Sequence, residues 1–113
     1  MPLTLMYLTN DPAVAGIAQD SGVDWIFVDL EYHGKHERQG HLDTVISQHS
    51  IADVRAVRSA IDQADLLVRV NPIHPSSQAE IDDVIVAGAD IVMLPFFHTS
   101  EEVEQFVSMV AGR

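Results

Sequence analysis

The 113-residue sequence contains no cysteine. That removes disulfide frameworks, a thiol nucleophile and any zinc site built on thiolates. Positive charge is scarce: 6 Lys and Arg stand against 17 Asp and Glu, for a formal net charge of -11. With no basic block to offset that field, the chain repels polyanions, and nucleic acid is not an expected partner. Long apolar runs are missing too. None approaches the roughly 20 residues that cross a bilayer, and the N-terminus MPLTLMYLTND lacks a basic start followed by a long apolar stretch. A soluble, cytoplasmic protein without a membrane partner is the expectation. No GxGxxG or GxxxxGK[ST] loop occurs, so a nucleotide-binding doubly wound fold loses its usual signature.

What is present is a composition that folds, 47% hydrophobic, and enough chain for one domain or a piece of one. Apolar runs too short for helices alternate with segments of helical period. Strands are expected at Leu3 to Thr9, Trp25 to Leu30, Leu66 to Asn71 and Ile91 to Phe97. Between them, Asn10 or Asp11 with Pro12 can open a first helix that ends near Gly22. Ser50 with Asp53, Ser77 with Glu80, and Thr99 with Glu102 have the spacing of capping boxes for three more.

The segments SGVDWIFVD and AGADIVMLP form a weak internal repeat: Gly, any residue, Asp, then four apolar residues. Gly22 and Gly88 suit the left-handed conformation that ends a helix. Continuous rather than alternating apolar runs imply parallel strands joined by helical crossovers. An open doubly wound sheet or part of a (β/α) barrel satisfies this order, and both collect their functional groups at the C-terminal ends of the strands.

The chemistry agrees with that placement. Strand two ends in Asp29 and Glu31, strand three carries Arg69 and Asn71, and strand four ends at Pro95, Phe97 and His98. A guanidinium inside LLVRVN needs an anionic partner to offset its desolvation. A salt bridge to Asp29 or Glu31 would serve, and so would a small carboxylate ligand held through two points. Asp29 and Glu31, two apart, share one face of a regular strand; together they could orient a base or hold a metal-bound water, or be solvated loop acids. His33, His36 and His41 share a loop with Lys35 and Arg38 in no recognised zinc spacing. His74 and His98 are rim candidates just beyond strand ends, and His49 precedes a helix. Met93, Phe96, Phe97 and Phe106 read as core or interface residues.

The motifs IFVDLE followed by a His- and Arg-bearing loop, then LLVRVNP, then GADIVMLPFF resemble the HpcH/HpaI aldolase and citrate lyase β-subunit family of the pyruvate/phosphoenolpyruvate-binding barrels. The likeness runs along almost the whole chain and rests on order and spacing together. It implies a parallel (β/α)4 segment, residues 1–113 as a single unit, forming the N-terminal half of a TIM-type (β/α)8 barrel. It also implies a carbon–carbon lyase or aldolase acting on a pyruvate-type 2-oxo acid, with Mg2+ or Mn2+ stabilising the enolate oxygen. On this resemblance Arg69 binds the substrate's carboxylate and oxo group, Asp29 supports a base, and Glu31 lies near the metal's water shell.

The chain departs from the family in two places. The aldolase branch has a histidine base directly after the matching Glu, where Tyr32 stands here; His41 is the first candidate for that base and His33 the second. The family's metal ligands, a Glu ending strand five and an Asp on a later segment, would lie beyond Arg113, so no metal ligand is expected within the chain and activity is expected to need the missing half. A half-barrel with two bare edges is expected to form a homo-oligomer or to pair with a complementary half-barrel. The alternative function is a non-catalytic binding or assembly module that keeps Arg69. A third reading, a receiver-like module with Asp29 as phosphoacceptor, lacks the acidic pair after strand one and a fifth strand with a lysine.

Overall fold

The computed structural model describes residues 3–31 and 50–112. Four strands alternate with four helices: β1 Met6–Leu8, α1 Pro12–Asp20, β2 Trp25–Asp29, α2 Ile51–Ala60, β3 Asp65–Arg69, α3 Ser77–Ala87, β4 Ile91–Met93 and α4 Ser100–Val110. The strands form one parallel sheet in the order β1-β2-β3-β4. This sequential order is that of half a (β/α)8 barrel, and it excludes the doubly wound arrangement, whose strand order reverses at a switch point. The receiver-like reading falls with it.

The register sorts the side chains into two faces. Ile26 and Val28 of β2 lie level with Leu66 and Val68 of β3, and these four join Ala15, Ala18, Val54, Val57, Ile81, Val84 and Ala87 from α1, α2 and α3 in one buried cluster. Phe106, Met109 and Val110 of α4 pack against the same cluster. All four helices therefore cover one face. The other face carries the row Leu8, Phe27, Leu67, Ile91 and above it the row Asp29, Arg69, Met93.

Local chemistry explains most boundaries. Asp11 caps α1 by accepting from the N–H groups of Ala13 and Val14, with Pro12 at the first helical position. Ser50 with Asp53 and Thr99 with Glu102 form reciprocal capping boxes on α2 and α4. The third expected box does not form. Ser76 takes the cap position of α3 without a side-chain bond, while the Ser77 hydroxyl accepts from the His74 N–H and Glu80 turns toward the end of β3. The carboxylate finds three donors there, more than one cap offers. β4 stops at Met93, short of the expected Phe97, because Pro95 has no N–H to give the ladder and Phe96 turns the backbone aside with φ 48°.

The internal repeat is a register device. Gly22 and Gly88 take left-handed φ values of 106° and 118°. Two residues on, the Asp24 N–H donates to Leu5 O while the Leu5 N–H donates to Asp24 Oδ2. Asp90 repeats this reciprocal pair with Leu66. Each Asp thus fixes the start of its strand against the preceding one, and Asp90 also holds Arg58 at 2.8 Å.

Candidate functional site at the strand C-terminal ends

Register alone brings the principal pair together. Asp29 and Arg69 are the last residues of β2 and β3 and stand directly opposite each other, on the face without helices. Arg69 donates from Nε to Asp29 Oδ1 at 3.0 Å and from Nη2 to Oδ2 at 2.6 Å. The guanidinium also lies over the Phe27 ring, 5.4 Å from its centroid, a cation–π distance. Its pKa is raised above the usual arginine value, chiefly by the hydrogen bonds to Asp29, with burial opposing and the negative charges of Asp29 and Glu31 adding to the rise. Arg69 is therefore a fixed cation.

This side-on pairing uses two of the five N–H donors of the guanidinium. The end formed by Nη1 and the second Nη2 hydrogen makes no hydrogen bond to a described residue, and the side chain is partly exposed. Asp29 aims the arginine without consuming it.

Glu31 lies beside this pair. Its N–H donates to Asp29 Oδ1 at 3.0 Å, an Asx-type turn that ends the strand, so the two acids meet through a turn rather than along a regular strand. Glu31 is 2% exposed, and among the described residues its Oε2 has no hydrogen-bond partner. A buried carboxylate oxygen left so is costly, and a cation or hydrogen-bond donor placed beside it would lower that cost.

The exit of β3 is braced from α3. Glu80 Oε2 accepts from the N–H and Nδ2 of Asn71 at 3.1 and 2.8 Å, and Oε1 lies 3.0 Å from His74 Nε2. The Ser76 N–H donates to His74 Nδ1, so Nδ1 carries no proton and Nε2 is the donor to Glu80. His74 is a brace for the loop. The His98 ring is exposed, and its backbone N–H donates to Glu102. His33 and His41, the expected bases, lie outside the described residues, as do His36 and His49.

Sequence reasoning missed Glu80, which it assigned to a helix cap; its position after a loop bounded by Pro72 and Pro75 was the available signal. Among the described residues no three His, Asp or Glu side chains converge as a metal-ligating group. Both Asp29 oxygens bond to Arg69, and among the described residues the buried Glu31 Oε2 is a carboxylate oxygen open to an ion's water shell. The described residues do not fit a complete divalent-metal site.

Residues 3–113 match the HpcH/HpaI aldolase/citrate lyase family. The chain belongs to that family. A solved structure with the same fold is the HpcH/HpaI aldolase from Desulfitobacterium hafniense DCB-2, 19% identical, with a TM-score of 0.65 over 92% of this chain. The chain spans 34% of the length of that aldolase. No curated protein sequence matches the chain. No helix among the described residues is long and apolar enough to cross a membrane. Within this HpcH/HpaI chain, the Asp29–Arg69 pair, Glu31 and the Glu80 brace all stand at the strand C-terminal ends, where a barrel of parallel strands places its chemistry.

Proposed function

We propose that the chain supplies the oxo-acid-binding part of a carbon–carbon lyase site for a pyruvate-type 2-oxo acid. The observation that carries this reading is the unclaimed end of the Arg69 guanidinium beside the buried, unpartnered oxygen of Glu31. Arg69 would hold the substrate carboxylate by two parallel bonds, the geometry in which arginine surpasses lysine. Breaking the bond beyond the oxo carbon leaves its electron pair on the pyruvate fragment as an enolate, and a cation aimed by Asp29 and partly shielded from water stabilises that charge.

The family implies a divalent ion, Mg2+ or Mn2+. Its full ligand set is not found among the described residues. The role of Glu31 would be to accept from a water or donor group next to the bound acid. The proton at the methyl carbon would be moved by a base from the segment that holds His41 and His33.

The test is NMR detection of solvent deuterium entering the methyl group of pyruvate, with the purified chain, Mg2+ or Mn2+, and an R69A control. Exchange that needs Arg69 supports an enolising site. Pyruvate binding without exchange supports the carboxylate-binding module instead, and neither binding nor exchange by a folded chain overturns both.

A further inference from the structure

β3 ends by handing its last donor to a helix. The ladder runs up to Arg69 and Val70: the Leu30 N–H donates to Arg69 O at 2.9 Å and the Val70 N–H to Met93 O at 3.0 Å. The odd-numbered N–H groups of β3 face β2, as Asp65 does in donating to Asp24 O, and Asn71 continues that series. At its level β2 has already turned aside, because the Glu31 N–H bonds to Asp29 Oδ1. The Asn71 N–H goes to Glu80 Oε2 instead, at 3.1 Å, and Asn71 Nδ2 donates to the same oxygen at 2.8 Å.

The acceptor is itself held in place. Glu80 stands in the first turn of α3, next to Ile81, which is buried in the core cluster. Its other oxygen accepts from His74 Nε2 at 3.0 Å, and His74 is tied to the helix start by the Ser76 N–H and the Ser77 hydroxyl. The carboxylate cannot rotate without breaking the His74 bond. In this orientation Glu80 leaves α3 without the capping box that its spacing from Ser77 allows, and Ser76 supplies no side-chain cap. The helix start would be served by the other orientation; the strand exit is served by this one.

We infer that Glu80 is a positioning residue for the oxo-acid site: by clamping Asn71 it fixes the C-terminal end of β3, and with it the placement of the Arg69 guanidinium against Glu31. Asn71 follows Arg69 by two residues, and the Arg69 carbonyl holds the Leu30 N–H, one residue before Glu31. A shift at Asn71 therefore reaches both groups. Asp29 aims the guanidinium from the side, while Glu80 anchors the backbone that carries it.

A two-point contact between guanidinium and carboxylate tolerates misplacement of only about 0.5 Å, so a β3 end that frays back toward Val70 weakens it without any loss of the arginine itself. Glu80 acts through Asn71 and not on the ligand. Its role rests on Arg69 being the group that binds the oxo acid, and the test separates the two by reading the site both with and without ligand.

In the ligand-free chain the Arg69 Nε–H and the Glu31 backbone N–H, both bonded to Asp29 Oδ1, report the geometry as NMR resonances. E80M removes both acceptor oxygens at similar side-chain length; it should move both resonances and weaken pyruvate binding, measured by calorimetry, at least about fivefold. E80Q keeps an oxygen for Asn71 and should recover most of both effects. E80D shortens the reach by one methylene and should reproduce the E80M pattern to a smaller degree, which serves if E80M does not fold. Q19A removes a comparable set of bonds at the other end of the sheet and controls for lost stability alone: it should lower the melting temperature and leave the two resonances and the pyruvate affinity in place. Unmoved resonances in E80M and E80D overturn the positioning whether or not pyruvate binds, as does a Q19A variant that moves them equally. Moved resonances with wild-type pyruvate affinity overturn the bearing of Glu80 on the site. A wild-type chain that binds no pyruvate overturns instead the reading of Arg69 on which the role depends.

Discussion

Arg69 and Asp29 occupy facing positions at the ends of adjacent parallel strands, and the guanidinium closes on the carboxylate through Nε and Nη2 at 3.0 and 2.6 Å. Asp29 is buried. Removing the arginine therefore strands a buried charge, whereas removing both groups removes that charge but leaves the Glu31 N–H without its Asp29 acceptor. R69M should destabilise the fold by about 2–4 kcal/mol. The double variant D29L/R69M should recover part of that loss, falling short by the cost of the Glu31 N–H left without its acceptor. Urea unfolding of D29L, R69M and the double closes the cycle, and a loss in the double variant equal to the sum of the two single losses would show the pair to be uncoupled.

The raised pKa of Arg69 has a sign that can be checked. A group whose folded value lies above its unfolded value stabilises in full below the unfolded value and stops doing so only as pH rises through the folded one. For Arg69 that window lies far above neutrality. Pyruvate affinity measured by calorimetry should then show no loss attributable to Arg69 between about pH 7 and 9. A tenfold weakening that R69A abolishes would mean that the arginine loses its proton in that range.

Glu31 should trade stability for function. Its Oε2 is buried without a hydrogen-bond partner among the described residues, and among the described charges Arg69 acts on it, so E31Q removes a buried, incompletely bonded carboxylate at little change in shape. The variant is expected to unfold at higher urea, gaining about 1 kcal/mol, while binding or enolising pyruvate less well. A loss of stability would show that the carboxylate already has a compensating partner.

Gln19 is the staple of the opposite, N-terminal end of the sheet. Its Oε1 accepts from the N–H groups of Asp62, Gln63 and Ala64, and its Nε2 donates to Asp62 Oδ1. Q19A leaves three backbone donors without this acceptor, an expected cost of about 2–4 kcal/mol. Q19E keeps the acceptor but faces the Asp62 carboxylate, so D62N should rescue Q19E and not Q19A. Thermal unfolding distinguishes the two patterns.

The two glycines of the repeat should differ in cost. An added Cβ at Gly22 meets nothing within 4 Å, whereas at Gly88 it comes within 2.4 Å of Arg58 Cδ and 3.2 Å of Arg58 Cβ. Arg58 is held in place by Asp90 and by the Ile61 and Gly88 carbonyls. G22A should lose about 1 kcal/mol from its left-handed backbone; G88A should lose clearly more. Similar melting temperatures would show that Arg58 moves aside freely.

Much of this was legible in the residues because local chemistry and global fold agree. The apolar runs, the Asp11 cap and two of the three capping boxes specify strands and helices that the sheet then uses, and the Gly-x-Asp repeat names the two strand starts that share one device. The facing of Asp29 and Arg69 was readable as a need, since a guanidinium among Leu and Val must find an anion; which acid answered it depends on register. Glu80 misled because a capping box and a brace have the same spacing, and three donors at the β3 exit outweigh one at the cap. Gln19 was invisible, since nothing in a lone glutamine announces three N–H groups from a loop more than forty residues away.

The most direct measurement is the Nε–H resonance of Arg69, identified by its loss in R69K, during a titration with pyruvate. Asp29 holds that hydrogen bond at 3.0 Å, which protects the proton from exchange with water. A 2-oxo acid seated on the free end of the guanidinium should shift the resonance saturably, with an uncharged analogue such as acetone leaving it in place. A resonance that does not move at saturating pyruvate, or that follows acetone equally, would contradict the assignment of this site to a 2-oxo acid.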